Sequence, residues 1–294
     1  MSSVRYRILH RTSYTYAADV VHAHQLLHLV PRPARYQECR EHAISVAPAY
    51  SRKLGEIDAF GNLVTRVEFD RPHRYLEVVS EMQVEVHPRP VVAASDTMPW
   101  EQLAAELDYR GVGPAREHLD ACRYRHESPH VRIKRMFTEY GAECFAPNRP
   151  ILACAAALMS KIHDELAYAP GETTVSTPLA EVLASRKGVC QDFSHLMIAC
   201  LRSRGLAARY VSGYVRLSPV RIGASHAWVA VYAPPFGWVE LDPTNDTFVG
   251  TDHVAVAYGR DFGDVSPLRG VIVGGGSHRL EVSVIVESIA APAF

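Results

Sequence analysis

The stretch Arg186-Lys-Gly-Val-Cys190-Gln-Asp-Phe-Ser-His195 decides how this 294-residue chain is read. It runs directly into an apolar series, Phe193, Leu196, Met197, Cys200 and Leu201, which recurs at i, i+3, i+4, i+7 and i+8, the spacing of one helix face. Gly205 closes the series. The helix therefore begins at or just before Cys190, which places the thiol among unsatisfied backbone N–H groups at the positive end of the helix dipole. A thiolate is stabilised there. Gly188, two residues upstream, is expected to let the chain turn tightly with no side chain crowding whatever approaches the sulfur. Cys200, inside the apolar stripe, is expected to be buried and inert.

Downstream, Ser225-His226-Ala-Trp228-Val-Ala-Val-Tyr232 alternates as a strand with His226, Trp228, Ala230 and Tyr232 on one face. After Ala233-Pro-Pro-Phe-Gly237, a second strand, Trp238-Val-Glu240-Leu-Asp242, puts Trp238, Glu240 and Asp242 on one face. A hairpin pairing Ala230 with Trp238 sets Trp228 opposite Glu240 and His226 opposite Asp242, with Cβ atoms about 4.5–5.5 Å apart. A carboxylate at that distance accepts a hydrogen bond from the imidazole and fixes its orientation. A one-residue slip would place the two side chains on opposite faces. A thiol at a helix start, a strand histidine and a cross-strand aspartate supply nucleophile, base and orienting group for covalent acyl chemistry.

Upstream, Thr177-Pro178 reads as an N-cap followed by proline at the first helical position, opening a short helix through Leu179, Val182 and Leu183. Pro150 opens a longer helix with Leu152, Ala155, Leu158, Ile162 and Leu166 on its buried stripe, and Ile133, Met136, Phe137 and Tyr140 mark another that ends at Gly141. From Val4 to about His87 the period is two, clearest where Leu76, Val78, Met82, Val84 and Val86 alternate with Glu77, Glu81, Gln83 and Glu85. Tyr6-Ile8-His10, Leu26-His28-Val30 and Leu63-Thr65-Val67-Phe69 give similar short runs. The chain thus divides into a β-rich domain over 1–90, a helical connection over 91–148 and a core over 149–294. That core ends in a β-strand extension, Leu280 to Val286, expected to return to the first domain.

With 31 Lys+Arg against 32 Asp+Glu, a net charge of -1 and no long basic run, the chain lacks the footprint of a nucleic-acid binder. No stretch approaches the ~18 consecutive apolar residues of a membrane span, and Arg5, Arg7 and Arg11 interrupt the start. The expected location is cytoplasmic, with no membrane partner. The six cysteines are too sparse for a disulfide framework and none falls in a C-x-x-C pair. His22, His24 and His28 share a face at strand spacing, yet no carboxylate or cysteine completes a known ligand pattern and no H-E-x-x-H occurs. The expectation is no metal and no cofactor.

Four blocks carry a resemblance: Gly188-Val-Cys190-Gln-Asp192, Ala208-Arg-Tyr210-Val-Ser-Gly-Tyr214, His226-Ala-Trp228 and Asp242-Pro-Thr-Asn245. In order and spacing they are similar to the bacterial transglutaminase-like cysteine proteases of the papain-like superfamily. Pro31-Arg32, Asp58-Ala-Phe-Gly-Asn62 and Arg71-Pro-His73 resemble the N-terminal domain of the bacterial members, and Gly259-Arg-Asp261 with Asp264-Val-Ser-Pro-Leu-Arg-Gly270 resembles their tail. The resemblance implies an α+β fold: an N-terminal antiparallel β-domain followed by a papain-like, transglutaminase-like core in which the Cys190 helix packs on an antiparallel sheet. It implies Cys190 as nucleophile, His226 as base and Asp242 as orienting acid, acting on a peptide or amide through a thioester. Bacterial relatives are associated with ATP-grasp-type proteins, which implies such a partner here.

Several readings stay open. The acceptor of the acyl group is water in a peptidase or amidase, the favoured reading, or an amine in a transglutaminase. No D-x-[DN]-x-[DN]-G calcium loop appears. A non-catalytic binding scaffold and a metal-dependent hydrolase are the other classes. The Cys190 backbone N–H is the natural first oxyanion donor. Tyr168 is a candidate second donor, against the packing role usual for a tyrosine ending an apolar helix. Gln191 and Asp192 either line the site or favour the first helical turn, Trp228 either walls a cleft or fills the core, and Asn245 lies in the Asp242 block as a site-lining candidate.

Overall fold

The computed structural model describes residues 2–108, 115–216 and 225–289. Period-two patterning at the start becomes one long strand, β1 (Val4–Leu27), of 24 residues. The sequence reads two short runs there. They fuse because Tyr16, Val20 and Ala23 carry the buried alternation across the gap, with a shift of register against a neighbouring strand between Thr15 and Val20. β2 (Gln37–Ala47), β3 (Arg52–Ile57), β4 (Leu63–Phe69) and β5 (His73–Val86) complete an antiparallel path ordered β2-β5-β1-β4-β3. The expected alignment of His22, His24 and His28 is not what forms. His22 and His24 stand exposed on β1, but the strand ends at Leu27 and His28 turns inward, Nδ1 at 3.1 Å from the Ser266 carbonyl and Nε2 at 3.4 Å from Asp58.

The chain then passes through α1 (Trp100–Glu106), α2 (Leu119–Cys122), α3 (Arg135–Tyr140) and α4 (Ile151–Glu165). Next come the two-residue β6 (Ala167–Tyr168), α5 (Leu179–Ser185), the two-residue β7 (Lys187–Gly188) and α6 (Cys190–Arg202). Pro178 is itself the N-cap of α5, one position earlier in the motif than the sequence suggests. No helix among the described residues is long and apolar enough to cross a membrane. The apolar stripe of α6 faces the core as expected, yet every residue from Asp192 to Arg202 is buried, because α3, α4 and α5 cover the flanks that the sheet leaves free. Polar groups on those flanks must find internal partners. Arg202 does so by donating to the carbonyls of Tyr124, His126, Ala208 and Arg260 at 2.7–3.2 Å.

A second antiparallel sheet contains β8 (Ala208–Val215), β9 (His226–Tyr232), β10 (Trp238–Asp242), β11 (Thr247–Phe248) and β12 (His253–Gly259), ordered β11-β10-β9-β8-β12. Ala227, Val229 and Val231 of β9 join the core that holds Phe193, Leu196, Met197 and Leu201 of α6. On the opposite face the sheet curls around Trp228, which is fully buried with Val211, Ala230, Val249, Ala255 and Tyr258. Gly213 makes the curl feasible: a Cβ there would meet the Val254 carbonyl oxygen at 2.2 Å and the Trp228 ring at 2.5 Å.

After α7 (Phe262–Val265), β13 (Leu268–Gly274) and β14 (His278–Ile289) return to the first sheet. β14 pairs with β1 from Arg5↔Ile289 to Tyr16↔His278, and β13 pairs with its far end. The last strand thus lies against the first domain, and the first sheet has seven strands.

β12 is an edge of the second sheet, where unpaired backbone groups need partners. Two side-chain amides supply them, one from β2 and one from the turn between β3 and β4. Gln37 bonds both the carbonyl and the N–H of Ala255, at 2.7 and 2.8 Å. Asn62 bonds both groups of Tyr258, at 2.8 and 2.9 Å, and is itself held by Asp58. The Asp58-Ala-Phe-Gly-Asn62 motif is therefore a device that docks one sheet on the edge of the other.

Candidate active site

Cys190 is the first residue of α6, preceded by the extended N-cap Val189. The start is fixed by Asp192, whose Oδ2 accepts the Val189 N–H at 2.9 Å and the Thr173 hydroxyl at 2.7 Å. Burial raises the pKa of this carboxyl, and the two donors act against that. Of the two readings of Asp192, the helix-turn role is the one its contacts support. Gly188 is needed for a reason other than access to the sulfur. A Cβ there would sit 2.7 Å from the Asp192 Cβ and 2.8 Å from its Oδ2, so the missing side chain makes room for the cap. Gln191 is half-buried beside it.

His226 opens β9 and Asp242 ends β10. The register differs from the simple hairpin. Trp238 pairs with Tyr232 and Glu240 with Ala230, a slip of two residues from the expected pairing, because the connection closes tightly with the Ala233 N–H donating to the Gly237 carbonyl at 2.7 Å, which keeps Tyr232 within the ladder. A shift of two preserves the face. His226 and Asp242 therefore meet diagonally, Nε2 to Oδ2 at 2.7 Å, and Trp228 likewise donates to Glu240 Oε2 at 2.8 Å. Cys190 acts on the His226 ring closely enough to help raise its pKa, so the imidazole is coupled to the sulfur as well as bonded to the carboxylate.

The electrostatics follow from that arrangement. Burial lowers the pKa of His226, but the hydrogen bond to Asp242 and the influence of Cys190 outweigh it and lift the group to about 10. Burial works against the Asp242 carboxylate, and the hydrogen bonds from His226 and His253 overcome it, holding the group far below the usual carboxylate range. Asp242 is fully buried while Cys190 is half-buried, so the arrangement is sealed on the carboxylate side and reachable on the sulfur side. Burial raises the pKa of the other five thiols, Cys39, Cys122, Cys144, Cys154 and Cys200.

The remaining sequence candidates divide. Asn245 is exposed but donates Nδ2 to Asp242 Oδ2 at 2.6 Å, with His226 Nε2 at 3.4 Å. Tyr168, 57% exposed, is brought beside Gly188 by the parallel β6–β7 bridge, and charge on Cys190 helps to raise its pKa after burial. Trp228 does not wall a cleft; it fills the interior of the curled sheet. Sequence reasoning misses His253, whose Nε2 lies 3.1 Å from Asp242 Oδ2. His226, Asp242 and His253 could together hold a metal ion, their ligand atoms lying within 4.8 Å of one another. Hydrogen bonds at 2.7 and 3.1 Å account for the same contacts.

Comparison with known proteins matches both parts of the chain. The bacterial transglutaminase-like N-terminal region matches residues 6–85, and the transglutaminase-like superfamily matches residues 139–243. An uncharacterized Mycobacterium tuberculosis protein is 38% identical over 282 residues, 91% of this chain and 87% of its own. The chain belongs to the transglutaminase-like superfamily. A Cytophaga hutchinsonii protein described as a candidate cysteine protease has the same fold, with a TM-score of 0.77 and 18% identity over 100% of this chain and 93% of that one. A Pseudomonas aeruginosa protein named protein-glutamine gamma-glutamyltransferase is 33% identical over 103 residues, 31% of this chain and 15% of its own.

Proposed function

We propose that the protein is an enzyme of thiol-dependent amide-bond chemistry, with Cys190 as nucleophile, His226 as proton carrier and Asp242 as the group that orients it. The observation that carries this reading is the His226 ring held by Asp242 at 2.7 Å, with Cys190 at the start of α6 and half-buried. In the first half-reaction the Cys190 thiolate adds to an amide carbonyl and the C=O electron pair moves onto oxygen, towards the Cys190 backbone N–H. Collapse breaks the C–N bond as the imidazolium gives its proton to the leaving nitrogen. A thioester and a neutral imidazole remain. The imidazole then takes a proton from the incoming nucleophile, which attacks the thioester and releases the thiolate.

Water as that nucleophile makes the protein a peptidase or amidase, the reading we favour. An amine makes it a transamidase, a second reading supported by the Pseudomonas aeruginosa relative's name. The test is the rate of iodoacetamide labelling of each cysteine at pH 6, mapped by peptide mass spectrometry. Cys190 is expected to label faster than the other five, whose raised pKa values keep them protonated, and His226→Ala is expected to slow it by about a hundredfold. Equal labelling of Cys190 and Cys39, or indifference to His226, would return the core to a binding scaffold. Glutamine-containing peptides incubated with and without a primary amine then separate hydrolysis from transfer.

A further inference from the structure

We propose that His253 is a positioning residue: it donates Nε2–H to Asp242 Oδ2 and holds the carboxylate in the orientation that serves His226. The inference rests on the Cys190, His226 and Asp242 reading above and adds a fourth side chain to it. Three donors converge on one oxygen, Oδ2: His226 Nε2 at 2.7 Å, Asn245 Nδ2 at 2.6 Å and His253 Nε2 at 3.1 Å. Oδ1 is turned to the backbone, accepting Thr244 N–H at 3.0 Å and Asn245 N–H at 3.4 Å. Asn245 is solvent-exposed, whereas His253 is buried, its ring edge-on to Trp228 with centroids 5.2 Å apart.

The unusual feature is the other nitrogen. His253 Nδ1 is buried and has no hydrogen-bond partner. A residue placed there for packing alone would be apolar, since an imidazole in this pocket carries an unmatched polar atom. The bond to Asp242 explains why the ring is present, and because a carboxylate oxygen only accepts, that bond needs the proton on Nε2. The platform is rigid as well. β12 is fixed along its free edge by Gln37 and Asn62, and Tyr6 of β1 donates to Asp252, the residue before His253, at 3.2 Å. The first sheet thereby sets the position of a side chain in the second sheet's site.

Two variants and two readouts test this. His253→Gln keeps an amide N–H at the reach of Nε2, and His253→Asn is too short to touch Oδ2. In one-dimensional proton NMR the wild type should show downfield imidazole N–H signals from both His226 and His253. His253→Gln should lose its own signal, retain that of His226, and label Cys190 at pH 6 close to the wild-type rate. His253→Asn should broaden the His226 signal and slow labelling about tenfold, the usual scale for loss of a group that orients a functional residue. An Asn variant with a wild-type His226 signal and labelling rate would overturn the proposal. Stoichiometric zinc in the purified protein would do the same, because a metal would displace both N–H donors. Cys190 labelling that depends on His226 but ignores His253 rejects this inference alone, while labelling that ignores both rejects the functional reading beneath it.

Discussion

The two sheets use charge in opposite ways. On the outward face of the first, Arg5 and Arg11 of β1 reach Glu85 and Glu77 of β5 at 3.1 and 2.8 Å, with Arg7 and Glu81 paired between them. Water competes for these groups, and any cation of similar reach could replace another. In the second sheet the polar groups lie inside. Glu240 is fully enclosed and accepts from Trp228, Tyr258 and Arg89, while Asp242 accepts from two histidines and Asn245. A buried carboxylate must be matched donor for donor, so each partner is specified by position as well as by charge. Regular secondary structure is common to both sheets, and solvent decides which one can carry chemistry.

Arg202 tests the enclosed side most severely. Arg202→Met would leave the carbonyls of Tyr124, His126, Ala208 and Arg260 without their shared donor, and a loss of about 3–5 kcal/mol is expected in urea unfolding. A loss below about 1 kcal/mol would mean that buried charge here is as replaceable as at the surface.

A smaller effect is expected at the seam between the sheets, where His10 of β1 bonds Tyr214 of β8 at 2.8 Å and Thr12 at 3.1 Å. Burial lowers the His10 pKa to about 4, so the folded protein keeps this ring neutral while the unfolded chain takes up a proton below about 6.5. The unfolded state then binds more protons, and stability falls as pH drops through that window. His28 and His195, also lowered by burial, add to the slope, so His10→Gln should flatten the decline between pH 7 and pH 4 without abolishing it. An unchanged slope would remove His10 from the seam's pH response. The least effect belongs to the outer face: Arg11→Ala should change unfolding free energy by no more than about 0.5 kcal/mol. A larger loss would erase the contrast between the two sheets.

The legible parts of the molecule were those set by short-range periodicity. The start of α6, the burial of Cys200 and the shared face of His226 and Asp242 follow from spacings of 3.6 and 2, which depend on a few neighbouring residues. The register of β9 against β10 was less legible, since closing the connection between Ala233 and Gly237 moves it by two positions with no change in the pattern of faces. The sequence marks Gly188 as a position that needs no side chain, but the neighbour that requires the space, Asp192, lies a helical turn away and shows itself in three dimensions.

By itself the sequence determined the trio proposed to react, Cys190, His226 and Asp242, and the helix and strands that present it, because each member sits at the end of an element whose limits are written locally. The tertiary structure alone decided the rest of the carboxylate's surroundings. β12 is three strands removed from β10 in the sheet order, and no spacing along the chain relates His253 to Asp242. They meet because the sheet curls around Trp228, Gly213 permits the close approach, and Gln37 and Asn62 of the first domain fix the edge that would otherwise be free. Strand curvature is a sum of many small twists and packing contacts, so it is a property of the assembled layers that no single stretch of residues encodes.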